Sequence, residues 1–206
     1  MLLAGGNAID AAIAAAAAVG VTEPQNSGVG GDGFIMLFDA KSGRMFGVNA
    51  TGPAPRAATR EFYLDREGIP MRGILSVSVP GLVDGWLIAH ERFGRIPLKD
   101  VLEPAIQLCE DGFPVSQKLS ATYRAHRAEF ARDPKAMAIF EPSGRPLETG
   151  EILVQRDLGT TLRRIVAEGR AVFYEGGIAR RVCEFSRESE GLLTEEDFSG
   201  FKARWE

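Results

Sequence analysis

Cysteine and histidine are nearly absent from this sequence. Each occurs twice in 206 residues, as Cys109, Cys183, His90 and His126. No Cys-x-x-Cys spacing is present, so neither a disulfide framework nor a thiolate metal site can be assembled. Both cysteines read as buried apolar fillers. His90-Glu91 opens like a zincin motif, but Gly94 stands where the second histidine belongs. A histidine-rich metal site is therefore not expected within this chain. A basic excess is missing too: 24 Lys and Arg face 28 Asp and Glu, for a formal charge of -4. That balance argues against a general nucleic-acid binder. No apolar run reaches the ~20 residues a membrane helix needs. The nearest, residues 8–21, is mostly alanine and carries Asp10, and no positive charge precedes it as in a signal peptide. The compartment stays open.

What is present suits a globular chain: 45% hydrophobic and 25% charged. Its length fits one domain or two. Asn7 can cap a helix over residues 8–20, which Gly20 can end in the left-handed conformation. Alanine on almost every face would let that helix pack closely on several sides, as a core helix. A turn-rich loop follows to Gly33. Residues 34–39 read as a strand, and its residues 34–38, apolar without alternation, imply cover on both faces. Lys41-Ser42-Gly43 suits a hairpin, with residues 44–49 returning. A Pro/Gly-rich connection over residues 50–60 leads to a mostly helical body. Helices are expected over residues 81–93, 97–111, 116–131, 157–168 and 175–188, and from Thr194, whose capping partner is Asp197. Pro104 should kink or restart the second of these. Ser76 and Ser78 precede a helix and read as caps. Arg163-Arg164, Arg180-Arg181 and Glu195-Glu196-Asp197 read as solvated faces.

The loudest motif is Gly28-Val29-Gly30-Gly31-Asp32-Gly33. It satisfies G-x-G-x-x-G, but a dinucleotide fingerprint requires a strand before the glycines and a helix after them. Here the order is helix, glycines, strand. The glycines instead permit close approach to another backbone or a ligand. A structural turn and a site-lining loop remain equally open. No Ser/His/Asp arrangement can be assembled, and the residues alone stop at a mixed α and β chain.

Seven blocks in order carry a resemblance. Gly5-Gly6-Asn7-Ala8-Ile9-Asp10-Ala11-Ala12 with its alanine run, and Glu23-Pro24 through Ser27 to Phe34, resemble the opening helix, glycine loop and first strand of γ-glutamyltransferases. Ala54-Pro55 with Ala58-Thr59-Arg60 and Leu64-Asp65, then Val79-Pro80-Gly81, then Ala89 to Gly94 with Leu102 to Ile106, then Glu110 to Val115, and finally Gly191 to Asp197, follow in family order. The resemblance covers essentially the whole chain. It implies an α+β, N-terminal-nucleophile hydrolase fold, an αββα sandwich. Residues 1–206 would be the first part of the large subunit, mostly helical after an initial helix and β-hairpin. The lead-in and the C-terminal small subunit would lie outside it.

The same resemblance implies a self-processing precursor whose small subunit begins with the threonine nucleophile. A γ-glutamyl or related acyl group passes to that threonine, then to water, an amino acid or a peptide, and the resemblance implies no metal or organic cofactor. The expected partners are that small subunit and a γ-glutamyl or acyl-amide substrate. No threonine from Thr22 to Thr194 sits in the nucleophile motif, so no catalytic residue is assigned here, and the chain alone is expected to be inactive. One substrate-binding position can be carried over. Three residues before Ala54-Pro55 the family has an arginine that holds the donor's α-carboxylate, a task for a guanidinium fork. Here that position is Thr51, which cannot form a bidentate ion pair; Arg56 and Arg60 are the nearest cations in sequence. The departure keeps two further readings open, a cephalosporin-acylase-like amidase and a non-catalytic paralogue serving as a binding or assembly module.

Overall fold

The structure is a computed structural model and describes residues 1–206. Its elements, in chain order, are α1 (Ala8–Thr22), β1 (Gly33–Asp39), β2 (Arg44–Ala50), α2 (Arg60–Leu64), α3 (Leu82–Phe93), α4 (Leu98–Glu110), β3 (Phe113–Pro114), α5 (Gln117–Ala125), α6 (Arg127–Phe130), α7 (Pro134–Phe140), β4 (Ile152–Leu153), α8 (Arg156–Glu168), α9 (Arg170–Tyr174), α10 (Gly177–Glu188), α11 (Glu195–Gly200) and β5 (Arg204–Trp205). They fall into two compact units, residues 1–28 with 96–163, and residues 29–95 with 164–206.

In the first unit, Asn7 and Asp10 close a reciprocal capping box at the start of α1: the Asn7 side chain accepts from the Ile9 and Asp10 amides, and Asp10 accepts from the Asn7 amide at 2.8 Å. Ile9, Ile13, Ala17 and Val21 recur at helical spacing and are buried, with α1 packed along α4. Ala8, Ala12, Ala15 and Val19 face solvent, so α1 is half-covered rather than enclosed. Nor does the helix end at Gly20. A side chain there would meet the Gly28 backbone at 3.3 Å, so the glycine serves close packing, and α1 runs on to Thr22. Helix α4 buries Val101, Leu102, Ala105, Ile106 and Cys109 as the periodicity predicts, and it passes Pro104 without interruption. Burial pushes the Cys109 thiol up to about 12, which leaves it inert filler.

One further expectation in this unit is corrected, and two elements were not anticipated. The helix expected over residues 116–131 is two, broken at His126. A further helix, α7, starts where Asp133 accepts from the Lys135 amide and Pro134 takes the first helical position. The short β3–β4 pair, Phe113 opposite Leu153, carries no periodic signal at two residues per strand.

In the second unit, β1, β2 and β5 form one antiparallel sheet in that order. The hairpin register runs from Gly33 opposite Ala50 to Asp39 opposite Arg44. Strand β1 departs from the sequence reading: Phe34, Met36 and Phe38 are 75%, 80% and 61% exposed. Only its other face is covered, by α3, whose Val83, Gly85, Trp86 and Ala89 are buried. Phe46, Phe93 and Trp205 form an aromatic cluster under the Arg92 guanidinium, which fastens β5 to the sheet. The segment expected as one helix from residue 175 is preceded by the short α9, which buries Val172, Phe173 and Tyr174. Thr194 and Asp197 close the predicted capping box. Asp197 is itself buried and also accepts the Arg56 amide at 3.0 Å, so it is structural rather than solvated. No helix is long and apolar enough to cross a membrane.

Candidate functional site

The glycine loop resolves into a clamp built on one carboxylate. Asp32 Oδ1 accepts from the Gly52 amide at 2.9 Å and the Gly81 amide at 3.2 Å, while Oδ2 accepts from the Ser78 hydroxyl at 2.8 Å. The Gly31 carbonyl accepts from Gly81 and Leu82, both at 3.0 Å, and the Val79 amide donates to the Pro53 carbonyl. The loop thus stitches residues 51–53 to the entry of α3. Ser78 belongs to this clamp and caps no helix; Gly81 occupies the cap of α3. Two backbones approach so closely that a side chain cannot be inserted. A Cβ on Gly52 would lie 1.6 Å from the Val79 carbonyl oxygen, and one on Gly81 would lie 2.2 Å from that of Ala50.

The clamp holds Thr51 at a cleft of about 640 Å³. One wall is Asn49, Thr51, Gly52 and Pro53; the other is the strap of residues 200–204. The β2–β5 pairing sets these walls, with Asn49 opposite Arg204. The Thr51 amide donates to Asn49 Oδ1 at 3.1 Å, leaving the Asn49 amide nitrogen and the exposed Thr51 hydroxyl as polar groups on that side. Lys202 and Arg204 line the other wall, and no carboxylate lines the cleft. The lining suits an anion: it includes two cationic residues and neutral donors, and the nearby Asp32 carboxylate is engaged by the Gly52 and Gly81 amides and the Ser78 hydroxyl.

A buried network sets the strap. Asp84, on α3 and 2% exposed, accepts from the Ala203 amide at 2.7 Å and from Arg170 Nε at 3.0 Å. Arg170 also donates to the Phe201 carbonyl and pairs with Glu175 at 2.7 Å. The Tyr174 hydroxyl donates to the Pro80 carbonyl and accepts from the Asp84 amide, and burial pushes its acidity down so that it stays a donor. One acid–base pair therefore joins the entry of α3 to the strap facing Thr51.

Of the sequence-level candidates, Thr51 lies in the cleft. Arg56 and Arg60 do not line it, and the Arg56 guanidinium is engaged by Glu196. Asn49, Lys202 and Arg204 were not singled out by the sequence reading. The motifs place no weight on them: Asn49 meets Thr51 as a near neighbour in the chain, and Lys202 and Arg204 come to the cleft beside the β2–β5 pairing. Asp84 did leave a signal, an acid on the apolar face of a predicted helix. No group of His, Cys, Asp and Glu is arranged to hold a metal ion.

The gamma-glutamyltranspeptidase family model matches residues 1–206. The chain is 36% identical to the glutathione hydrolase proenzyme of Escherichia coli, over 98% of its own length and 36% of that protein's. It superposes on the Helicobacter pylori gamma-glutamyltranspeptidase with a TM-score of 0.94 at 31% identity, covering 99% of this chain and 60% of that one. A cephalosporin acylase from Bacillus halodurans gives 0.91 at 34% identity, covering 99% and 39%. The chain spans between 35% and 38% of the length of the first three curated relatives it matches.

Proposed function

The chain belongs to the gamma-glutamyltranspeptidase family, and we propose on that premise that it supplies the donor-binding wall of a self-processing acyl hydrolase-transferase. In this reading residues 1–206 are part of the large subunit. The small subunit of the same precursor brings a threonine as its first residue. Its free amine takes the hydroxyl proton as the oxygen attacks the donor's amide carbonyl. The proton then passes to the departing amine, and water or an amino-acid amine removes the acyl group from the threonine. The relatives named proenzymes support a processed partner.

The observation that carries this reading is the cation-lined cleft at Thr51. The resemblance places the donor's α-carboxylate at residue 51, where threonine offers one hydroxyl and no charge. Lys202 and Arg204, on the facing wall, supply positive charge to the same cleft from another part of the chain. The donor carboxylate is held from the strap rather than from residue 51. Both cations are exposed, so each contact is worth less than a buried charge-assisted bond.

Replacing both Lys202 and Arg204 by Ala should lower kcat/KM for γ-glutamyl-p-nitroanilide about 10-fold, the equivalent of ~1.4 kcal/mol. It should leave hydrolysis of butyryl-p-nitroanilide, which lacks the carboxylate, within about twofold. Equal losses on both substrates would mean that the strap does not read the carboxylate. Thr51→Arg restores the fork and should raise the preference for the γ-glutamyl over the butyryl donor. An unchanged ratio would place residue 51 away from the donor. A second reading, an amidase for a different acyl group, is favoured by the same Thr51. It predicts that the wild type already prefers the donor without the α-carboxylate.

A further inference from the structure

Arg56 stands at the rim of the Thr51 cleft without lining it. A Cβ built on Gly200 would lie 3.5 Å from Arg56 Nη2, and Gly200 is one of the residues that line the cleft. The guanidinium therefore lies against the strap, at the point where α11 gives way to residues 201–204. Its base is fixed there. The Arg56 amide donates to Asp197 Oδ1 at 3.0 Å, and Asp197 is buried in the capping box that starts α11. The Asp197 carboxylate is spent on that box and on the Arg56 amide.

The partner of Arg56 is as exposed as Arg56 itself. Nη1 donates to Glu196 Oε1, and the two side chains are 66% and 73% exposed. Nη2, the nitrogen beside Gly200, donates to no protein acceptor. An exposed ion pair contributes little, because both groups are well hydrated apart. Exchanging one carboxylate for another on this guanidinium therefore costs almost nothing. Glu196 occupies one nitrogen, whereas a carboxylate set against the fork takes two parallel bonds. The bound partner is thus the weaker of the two that the guanidinium can hold.

We propose that Arg56 is a specificity-determining residue of the cleft, giving up Glu196 for a carboxylate of the bound donor. This role rests on the reading of the cleft as the donor site, and it narrows the substrate class to donors that carry a free carboxylate. Lys202 and Arg204 supply charge from the strap. Arg56 supplies the planar fork that Thr51 lacks. Glu196 is the internal competitor, which holds the guanidinium at the rim while the cleft is empty. Arg56, Glu196 and every lining residue of the cleft belong to the same compact unit.

Glutamate, the acyl product of a γ-glutamyl donor, is the probe, titrated calorimetrically into the complete protein at low ionic strength. Glu196→Gln removes the competitor and should tighten binding about threefold, the size of an exposed ion pair. Arg56→Ala should weaken binding by at least as much, and Arg56→Lys, which keeps the charge but not the fork, should fall between. In the Arg56→Ala background Glu196→Gln should change nothing, because no guanidinium is left to compete for. During turnover of γ-glutamyl-p-nitroanilide the same order should appear in KM rather than in kcat. An equal effect of Glu196→Gln in both backgrounds would overturn the proposal, as would an Arg56→Ala protein that binds glutamate like the wild type. A loss on replacing Lys202 and Arg204 beside a flat Arg56 cycle would overturn this role alone and leave the cleft reading standing. Glutamate that does not bind, or binds regardless of all four residues, would overturn both.

Discussion

Gly52→Ala should abolish accumulation of the folded protein. The added Cβ would sit 1.6 Å from the Val79 carbonyl oxygen, 2.6 Å from its carbon and 3.2 Å from its α carbon. All three are backbone atoms, so no side chain can turn aside. Relief requires that residues 51–53 part from residues 78–81. That opens the Val79–Pro53 hydrogen bond and pulls the Gly52 amide from Asp32. Overpacking in a compliant core costs about 1–3 kcal/mol; a backbone collision with coupled loss of hydrogen bonds belongs to the exceptional class above ~4 kcal/mol. Gly30→Ala is the control. It belongs to the glycine loop, is exposed, has open space where its Cβ would go and lacks a positive φ, so it should change stability by less than about 0.5 kcal/mol. Soluble yield and thermal melting of the two variants check both statements. A well-folded Gly52→Ala protein would show that this approach of the two backbones is not required.

Asp84→Ala should give the second-largest loss, about 3 kcal/mol. It removes the acceptor of the Ala203 amide and leaves the Arg170 guanidinium, 25% exposed, without its buried partner. Because Arg170 keeps the Phe201 carbonyl and Glu175, the penalty falls at the low end for a broken buried pair. The functional effect is more specific. Asp84 and Arg170 hold residues 201–203, the strap whose Lys202 lines the cleft, so KM for the γ-glutamyl donor should rise more than kcat falls. Asp84→Asn keeps an acceptor for the Ala203 amide and should recover most of that KM change while remaining less stable than wild type. If all Asp84 variants lowered kcat and KM effects were absent, the strap would not be the element that binds donor.

These two predictions show where sequence and structure part. Strongly periodic segments were legible: the buried faces of α3 and α4, the hairpin of β1 and β2, and the Thr194–Asp197 cap follow from spacing and capping chemistry alone. The Asn7 cap was legible too, but not the end of its helix, because Gly20 is chosen by its contact with Gly28 rather than by its own φ. Two-residue strands and the break at His126 leave no periodic trace. Strand β1 misled for a different reason. Its unbroken apolar run implies two covering layers, and these 206 residues place one over it, leaving Phe34, Met36 and Phe38 exposed. The chain spans about a third of the length of the curated relatives it matches.

Motif order singled out Thr51 and the glycine loop, and Thr51 lines the candidate cleft. The rest of the cleft was not singled out, because Lys202 and Arg204 come to it beside the β2–β5 ladder, a pairing of two residues per strand at the far end of the chain. Asp32 illustrates the same limit within a motif. The motif glycines were read as permitting close approach, yet the tightest backbone approaches lie outside the motif, at Gly52 and Gly81, whose amides converge with the Ser78 hydroxyl on the Asp32 carboxylate.

The most direct test of the account is the intact mass of the product expressed from the complete reading frame that carries this chain. The account predicts two polypeptides whose masses sum to that of the precursor, less any removed leader. The larger should contain residues 1–206, and the smaller should begin with threonine. A single unprocessed chain in a folded, soluble preparation would contradict it and make a non-catalytic binding or assembly module the leading reading.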